Sequence, residues 1–121
     1  MRVRPDVLST IELPSGKVQV DEAGYLVDPV LWTRDFARFV ADEEGIALGD
    51  LHWRVISFMR AYLDGHGIAA DARFVLKFLG AECGLDKQGS KSKLFELFPY
   101  GYVKQACRIA GMRQPRAWST G

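Results

Sequence analysis

Lys93-Leu-Phe-Glu-Leu-Phe-Pro99-Tyr-Gly101-Tyr-Val-Lys-Gln-Ala-Cys107-Arg-Ile-Ala-Gly111-Met112 is the stretch that decides how this chain is read. Pro99 disfavours helical geometry at the residue before it, so a fourth helix, capped near Ser90 or Ser92, stops by Phe98. A fifth helix follows over about Tyr102 to Ala110, carries Cys107 and ends at Gly111. On helical geometry Lys104 shares a face with Cys107 at i−3, while Arg108 points about 100° away. Nearby positive charge stabilises a thiolate, the form that attacks sulfur or accepts a sulfane atom. The plainer reading is an inert thiol packed beside Val103 and Ala106.

Working outward, His52-Trp53, Arg60-Ala-Tyr, Asp21-Glu-Ala-Gly-Tyr-Leu-Val-Asp-Pro, Trp32, Glu43-Glu-Gly-Ile, Arg73 and Leu97-Phe98-Pro99 stand in an order and spacing that span most of the chain. In these features the chain resembles the DsrC/TusE family of small sulfur-carrier proteins, which includes the gamma subunit of dissimilatory sulfite reductase. The resemblance implies a non-enzymatic protein of sulfur metabolism. Its C-terminal end would dock on sulfur-relay proteins or a sulfite-reductase-like enzyme, with Cys107 as the sulfur-binding candidate and no cofactor. Family members fold their tail back so that a penultimate cysteine meets this helix. Here Tyr102 replaces a proline, Met112-Arg113-Gln114 replaces Leu-Pro-Lys, and the gap-free counterpart of the terminal cysteine is Trp118. Either the carrier thiol is lost or the present sequence stops short of it, and without that thiol the resemblance implies no full carrier activity.

At 121 residues and 48% hydrophobic content the chain suits one domain over 1–121, with 112–121 as an aperiodic tail expected to be mobile. Charge interrupts every apolar run before it could cross a bilayer, and no secretory signal precedes the first element, so a cytoplasmic protein without membrane contact is expected. The two cysteines, Cys83 and Cys107, fit neither a disulfide scaffold nor a metal knuckle. Cys83 reads as packing at a helix end.

The net charge of +1 conceals an asymmetry. Residues 1–86 hold 9 Lys/Arg against 14 Asp/Glu, whereas residues 87–121 hold 7 against 1. Arg73, Lys91, Lys93, Lys104, Arg108, Arg113 and Arg116 form a basic surface able to steer an acidic partner, and the resemblance implies that they are the partner-docking candidates. A regulatory relative that reads nucleic acid through a helix pair is the alternative. The polar stretch Gly84–Gly89, taken as a long loop between helices three and four, argues against it.

The remaining elements follow from turn and cap signals. Thr10–Leu13 and Lys17–Val20 flank Pro14-Ser-Gly16 and form a hairpin, to which Tyr25–Val27 could add a third strand. Helix one is expected over Pro29–Glu44 behind the Asp28 cap, with Gly45 as its stop. Helix two starts at the Asp50 cap, is stopped by Gly65 and Gly67, and is expected to be the most buried. Helix three, about Asp71–Glu82, should bury Phe74, Val75, Phe78 and Leu79. The class is α+β, a small β-hairpin or meander on an array of about five helices. His52 as a base for Cys107 would need an orienting acid that the sequence does not supply, and His66 reads as a turn residue. Asp42-Glu43-Glu44 reads as a solvated helix end.

Overall fold

The computed structural model describes residues 8–113. Strand β1 (Ser9–Leu13) pairs antiparallel with β2 (Gly16–Val20) in the register Ser9↔Val20 to Leu13↔Gly16. Alternation sends Val18 and Val20 into the core and leaves Lys17 and Gln19 in solvent. The possible third strand reduces to one bridge, Val20↔Leu26. The Asp21 carboxylate accepts the N–H groups of Ala23 and Tyr25, bending the chain, and Asp28-Pro29 turns it away two residues after Leu26.

Helix one begins later than the sequence suggests. Asp28 caps only a 3₁₀ turn, Pro29–Leu31, after which Trp32 is extended. Thr33 then caps α1 (Arg34–Glu44), its hydroxyl accepting from the Phe36 N–H, and Gly45 closes the helix in the left-handed conformation as expected. Helix α2 (Asp50–His66) is capped by Gly49 rather than Asp50, which instead sits in the first turn. It is not the most buried helix: Val55, Ile56 and Met59 alone are fully covered, because Arg54, Ser57 and Ala61 face water.

Helix α3 (Ala72–Cys83) starts at the Asp71 cap and buries Val75 and Leu79. Phe78 is half-buried against Phe58, and Phe74, expected inside, is 37% exposed at the rim, stacked on Tyr62. Helix α4 (Lys87–Leu97) begins earlier than expected, because Asp86 rather than a serine accepts the free N–H of Gly89. Ser90 lies inside the helix and donates its hydroxyl proton to the Asp86 carbonyl. Only Gly84–Asp86 therefore connect α3 to α4, and the long-loop objection to a helix-turn-helix-like pair falls.

Beyond Pro99 the backbone makes a π-helical turn, Tyr102–Ala106, that runs into the short α5, Cys107–Ile109. Phe98, Tyr102, Ala106, Cys107, Ile109 and Ala110 are all fully buried, so the C-terminal segment is the centre of the core rather than a surface element. Met112, assigned to the tail by its lack of periodicity, is buried too. Residues 114–121, the rest of the expected tail, lie outside the described residues. Among the described residues no helix is long and apolar enough to cross a membrane.

Candidate functional site

The π turn determines what surrounds Cys107. The Cys107 N–H bonds to the Tyr102 carbonyl five residues back, a wider turn than an α-helix makes. This brings Tyr102, not Lys104, alongside the thiol. The Tyr102 hydroxyl donates to the Ala70 carbonyl and also lies beside the Cys107 thiol, where its hydrogen bond favours the thiolate. Burial pushes the Cys107 thiol up to about 12, the Tyr102 contact only partly opposing it. Burial also raises the Tyr102 phenol above its usual range.

The expected activation of Cys107 by two cations is therefore not present in this conformation. Lys104 is exposed, and Arg108 is drawn into an ion pair with Glu44 at 3.4 Å, both side chains only 19% exposed. Glu44 also accepts from the Gln105 side-chain amide at 3.1 Å, whose oxygen in turn caps the Tyr100 N–H. Asp42 and Glu43 are solvated as read from sequence, but Glu44 is not. Gly24 makes room for this pair: a Cβ there would stand 2.8 Å from the Arg108 guanidinium. Tyr25, next along, donates its hydroxyl to the Val103 carbonyl, and burial raises its phenol to about 12.

Cys83, expected to pack at a helix end, stands at that end but is not packed. It is exposed at the end of α3, both cysteines are free thiols, and the accessible one lies outside the C-terminal segment. His52 serves structure rather than catalysis. Its Nδ1 accepts the Gly49 N–H at 3.1 Å, which leaves Nε2 to donate to the Leu97 carbonyl at 2.8 Å. His66 is the last residue of α2, bonded through Nδ1 to the Tyr62 carbonyl and stacked on that ring.

The docking candidates are dispersed over several elements. Arg73 is exposed on α3 beside Asp71, Lys91 is exposed on α4, and Lys93 is paired with Glu96. Arg113 and Lys104 face solvent, Arg108 is withdrawn into its pair, and Arg116 lies outside the described residues. Among the described residues no cluster of His, Cys, Asp or Glu could hold a metal ion.

A second constellation fixes the point where the C-terminal segment leaves the core. The Trp32 indole donates to the Ile109 carbonyl at 2.9 Å, and the Arg60 guanidinium lies over the Trp32 ring at 4.8 Å. Arg60 also donates to the carbonyls of Pro29 at 2.8 Å and Ala110 at 3.1 Å, with Gly111 at the 3.5 Å limit. Neither residue's role was visible in sequence, where Trp32 and Arg60 read as positions in the ordered motifs.

A family model described as "DsrC like protein" matches residues 12–117. Sulfurtransferase TusE of Pectobacterium atrosepticum is 34% identical over 105 residues, covering 87% of this chain and 95% of that protein. A homologue of sulfurtransferase TusE from Haemophilus influenzae is 37% identical, with 82% and 90% covered. Among solved structures, Allochromatium vinosum DsrC superposes with a TM-score of 0.79 at 35% identity, covering 92% of this chain and 98% of the other. The oxidised gamma subunit of dissimilatory sulfite reductase from Archaeoglobus fulgidus gives 0.78 at 30%, with 90% and 98% covered. Sequence and fold thus agree over nearly the full length of each relative, and the chain belongs to the DsrC-like family.

Proposed function

We propose that this chain is a cytoplasmic, non-enzymatic protein of sulfur metabolism that docks through its C-terminal end on a sulfur-relay protein or a sulfite-reductase-type enzyme. The family membership carries this reading, since relatives of matching length are named sulfurtransferase TusE and gamma subunit of dissimilatory sulfite reductase. The Arg60–Trp32 clamp supports it, because it fixes the backbone at Ile109–Gly111 and so gives the following residues a defined starting point.

Sulfur transfer by this chain alone is a different matter. Cys107 is buried as a neutral thiol, and release of a bound sulfane atom needs a second thiol to attack it. The residue in line with the family's carrier cysteine is Trp118. Docking is therefore the role proposed for the C-terminal end, and the regulatory alternative gains only from the short α3–α4 connection.

Two measurements test the reading. Binding to a sulfite-reductase-type enzyme or a sulfur-relay complex is compared for the full chain and a chain ending at Arg113. Loss of binding on truncation is expected, and undiminished binding overturns C-terminal docking. Both wild type and Trp118→Cys are then treated with a sulfane donor and weighed intact with and without reductant. Only the variant should gain a reductant-labile sulfur at its C-terminal segment; stoichiometric uptake and release at Cys107 of the wild type overturns the loss of carrier activity.

A further inference from the structure

Helices α3 and α4 enclose a groove of about 560 Å³ lined by Arg73, Leu76, Lys77, Gly80, Ala81 and Leu85 on one side and by Asp86, Lys87 and Ser90 on the other. We infer that this groove is a docking site for a short acidic amphipathic helix of a partner protein, separate from the C-terminal end.

The floor and the rim differ in chemistry. Leu76, Ala81 and Leu85 supply apolar surface, and Gly80 lets the α3–α4 connection come close, since a Cβ there would stand 3.1 Å from the Ser90 hydroxyl. Arg73, Lys77 and Lys87 stand around this floor in solvent. Lys77 and Lys87 have no ion-pair partner among the described residues, and Arg73 has a weak one, Asp71 at 3.5 Å. The groove's one carboxylate, Asp86, is already engaged with the Gly89 N–H at 2.7 Å. Two unpaired cations, with Arg73 as a third held only by Asp71, are therefore left for carboxylates that arrive with a partner, and the positive end of the α4 dipole adds to them.

Size and shape choose the occupant. From Arg73 to Ala81 the wall of α3 runs about 12 Å at 1.5 Å per residue, room for roughly two turns of a helix. Apolar side chains at i, i+4 and i+7 would seat on Leu76, Ala81 and Leu85 while flanking carboxylates meet the rim, the usual mode of a helix in a groove. A nucleic-acid backbone would gain from the cations but nothing from a recessed leucine floor. The observations favour a peptide.

The test is fluorescence anisotropy with a labelled, acetylated peptide of about three helical turns, carrying Leu at i, i+4 and i+7 and Glu on the opposite face. Wild type is compared with Ala81→Trp, which fills the groove from an exposed position, and with the double variant Lys77→Glu/Lys87→Glu, which alters solvent-facing side chains only. Circular dichroism confirms their folding, and should Ala81→Trp misfold, the double variant decides. Saturable binding is expected for wild type, weakened at least tenfold in either folded variant and abolished when Lys replaces Glu in the peptide. An unlabelled DNA duplex of about 20 base pairs should not displace the peptide at physiological salt. The proposal is overturned by no saturable binding, by equal affinity in the variants, or by a duplex that displaces the peptide, the last result assigning the groove to nucleic acid. C-terminal truncation should leave peptide binding unchanged, which separates this groove from the docking role of the C-terminal end.

Discussion

Gly111 sits against Trp32 so closely that a Cβ on it would lie 2.8 Å from the indole Cγ and nearer still to Cδ1. Its φ of 75° is also in the left-handed region. Gly111→Ala therefore meets both a steric and a conformational cost, and a loss of roughly 3 kcal/mol is expected by urea denaturation. Gly67 has the same φ of 75°, yet a Cβ added there would meet nothing within 4 Å, so Gly67→Ala should cost only about 1 kcal/mol. Equal losses would show that the Trp32 contact is not what requires glycine.

The exposure of the two thiols sets their order of reaction. Iodoacetamide on the native protein should label Cys83 promptly and leave Cys107 unmodified until the chain unfolds, as read by peptide mass spectrometry. Rapid native labelling at Cys107 would mean that the π turn opens readily.

A thiol raised from about 9 to about 12 by burial links folding to alkaline pH. As pH climbs, the unfolded chain gives up this proton first, so stability is intact below about pH 9 and is lost progressively towards pH 12. Tyr25 and Tyr102, both raised by burial, act in the same direction. Denaturant midpoints measured from pH 7 to 10.5 should fall, and less steeply in Cys107→Ala. Parallel profiles for the two proteins would exclude Cys107 as a source of the slope.

Arg60 holds two separated parts of the backbone, Pro29 and Ala110–Gly111, with one guanidinium. Arg60→Lys keeps the charge but loses the planar fork, and about 2 kcal/mol of stability should go with it. The more telling readout is hydrogen exchange: Ile109–Met112 should exchange faster in the variant while the α3 amides keep their protection. Unchanged exchange at Ile109–Met112 would show that Trp32 alone suffices to hold this segment.

His52→Ala should lower stability by about 1–2 kcal/mol, since it removes both the Gly49 cap partner and the Leu97 carbonyl partner. His52→Asn should recover part of the loss. A reactivity change at Cys107 without a stability change would restore the base-and-nucleophile reading.

Local rules were written in the sequence. Gly45 and Gly67 end helices because each must adopt positive φ, and alternation orients Val18 and Val20 inward. Ordered motifs from Asp21 to Pro99 sufficed to point to the family. Thr33, Gly49 and Asp86 took caps that neighbouring residues could equally have filled, since capping is decided by which acceptor the tertiary path leaves beside the free N–H groups. The environment of Cys107 lay beyond sequence altogether. One wider turn replaces Lys104 by Tyr102 beside the thiol, and Glu44, at the far end of α1 and read as solvated, takes Arg108 from it. Residue spacing fixes neighbours only within a regular helix; burial and long-range pairing set the charge state of a thiol, and both arise only when the whole chain has packed.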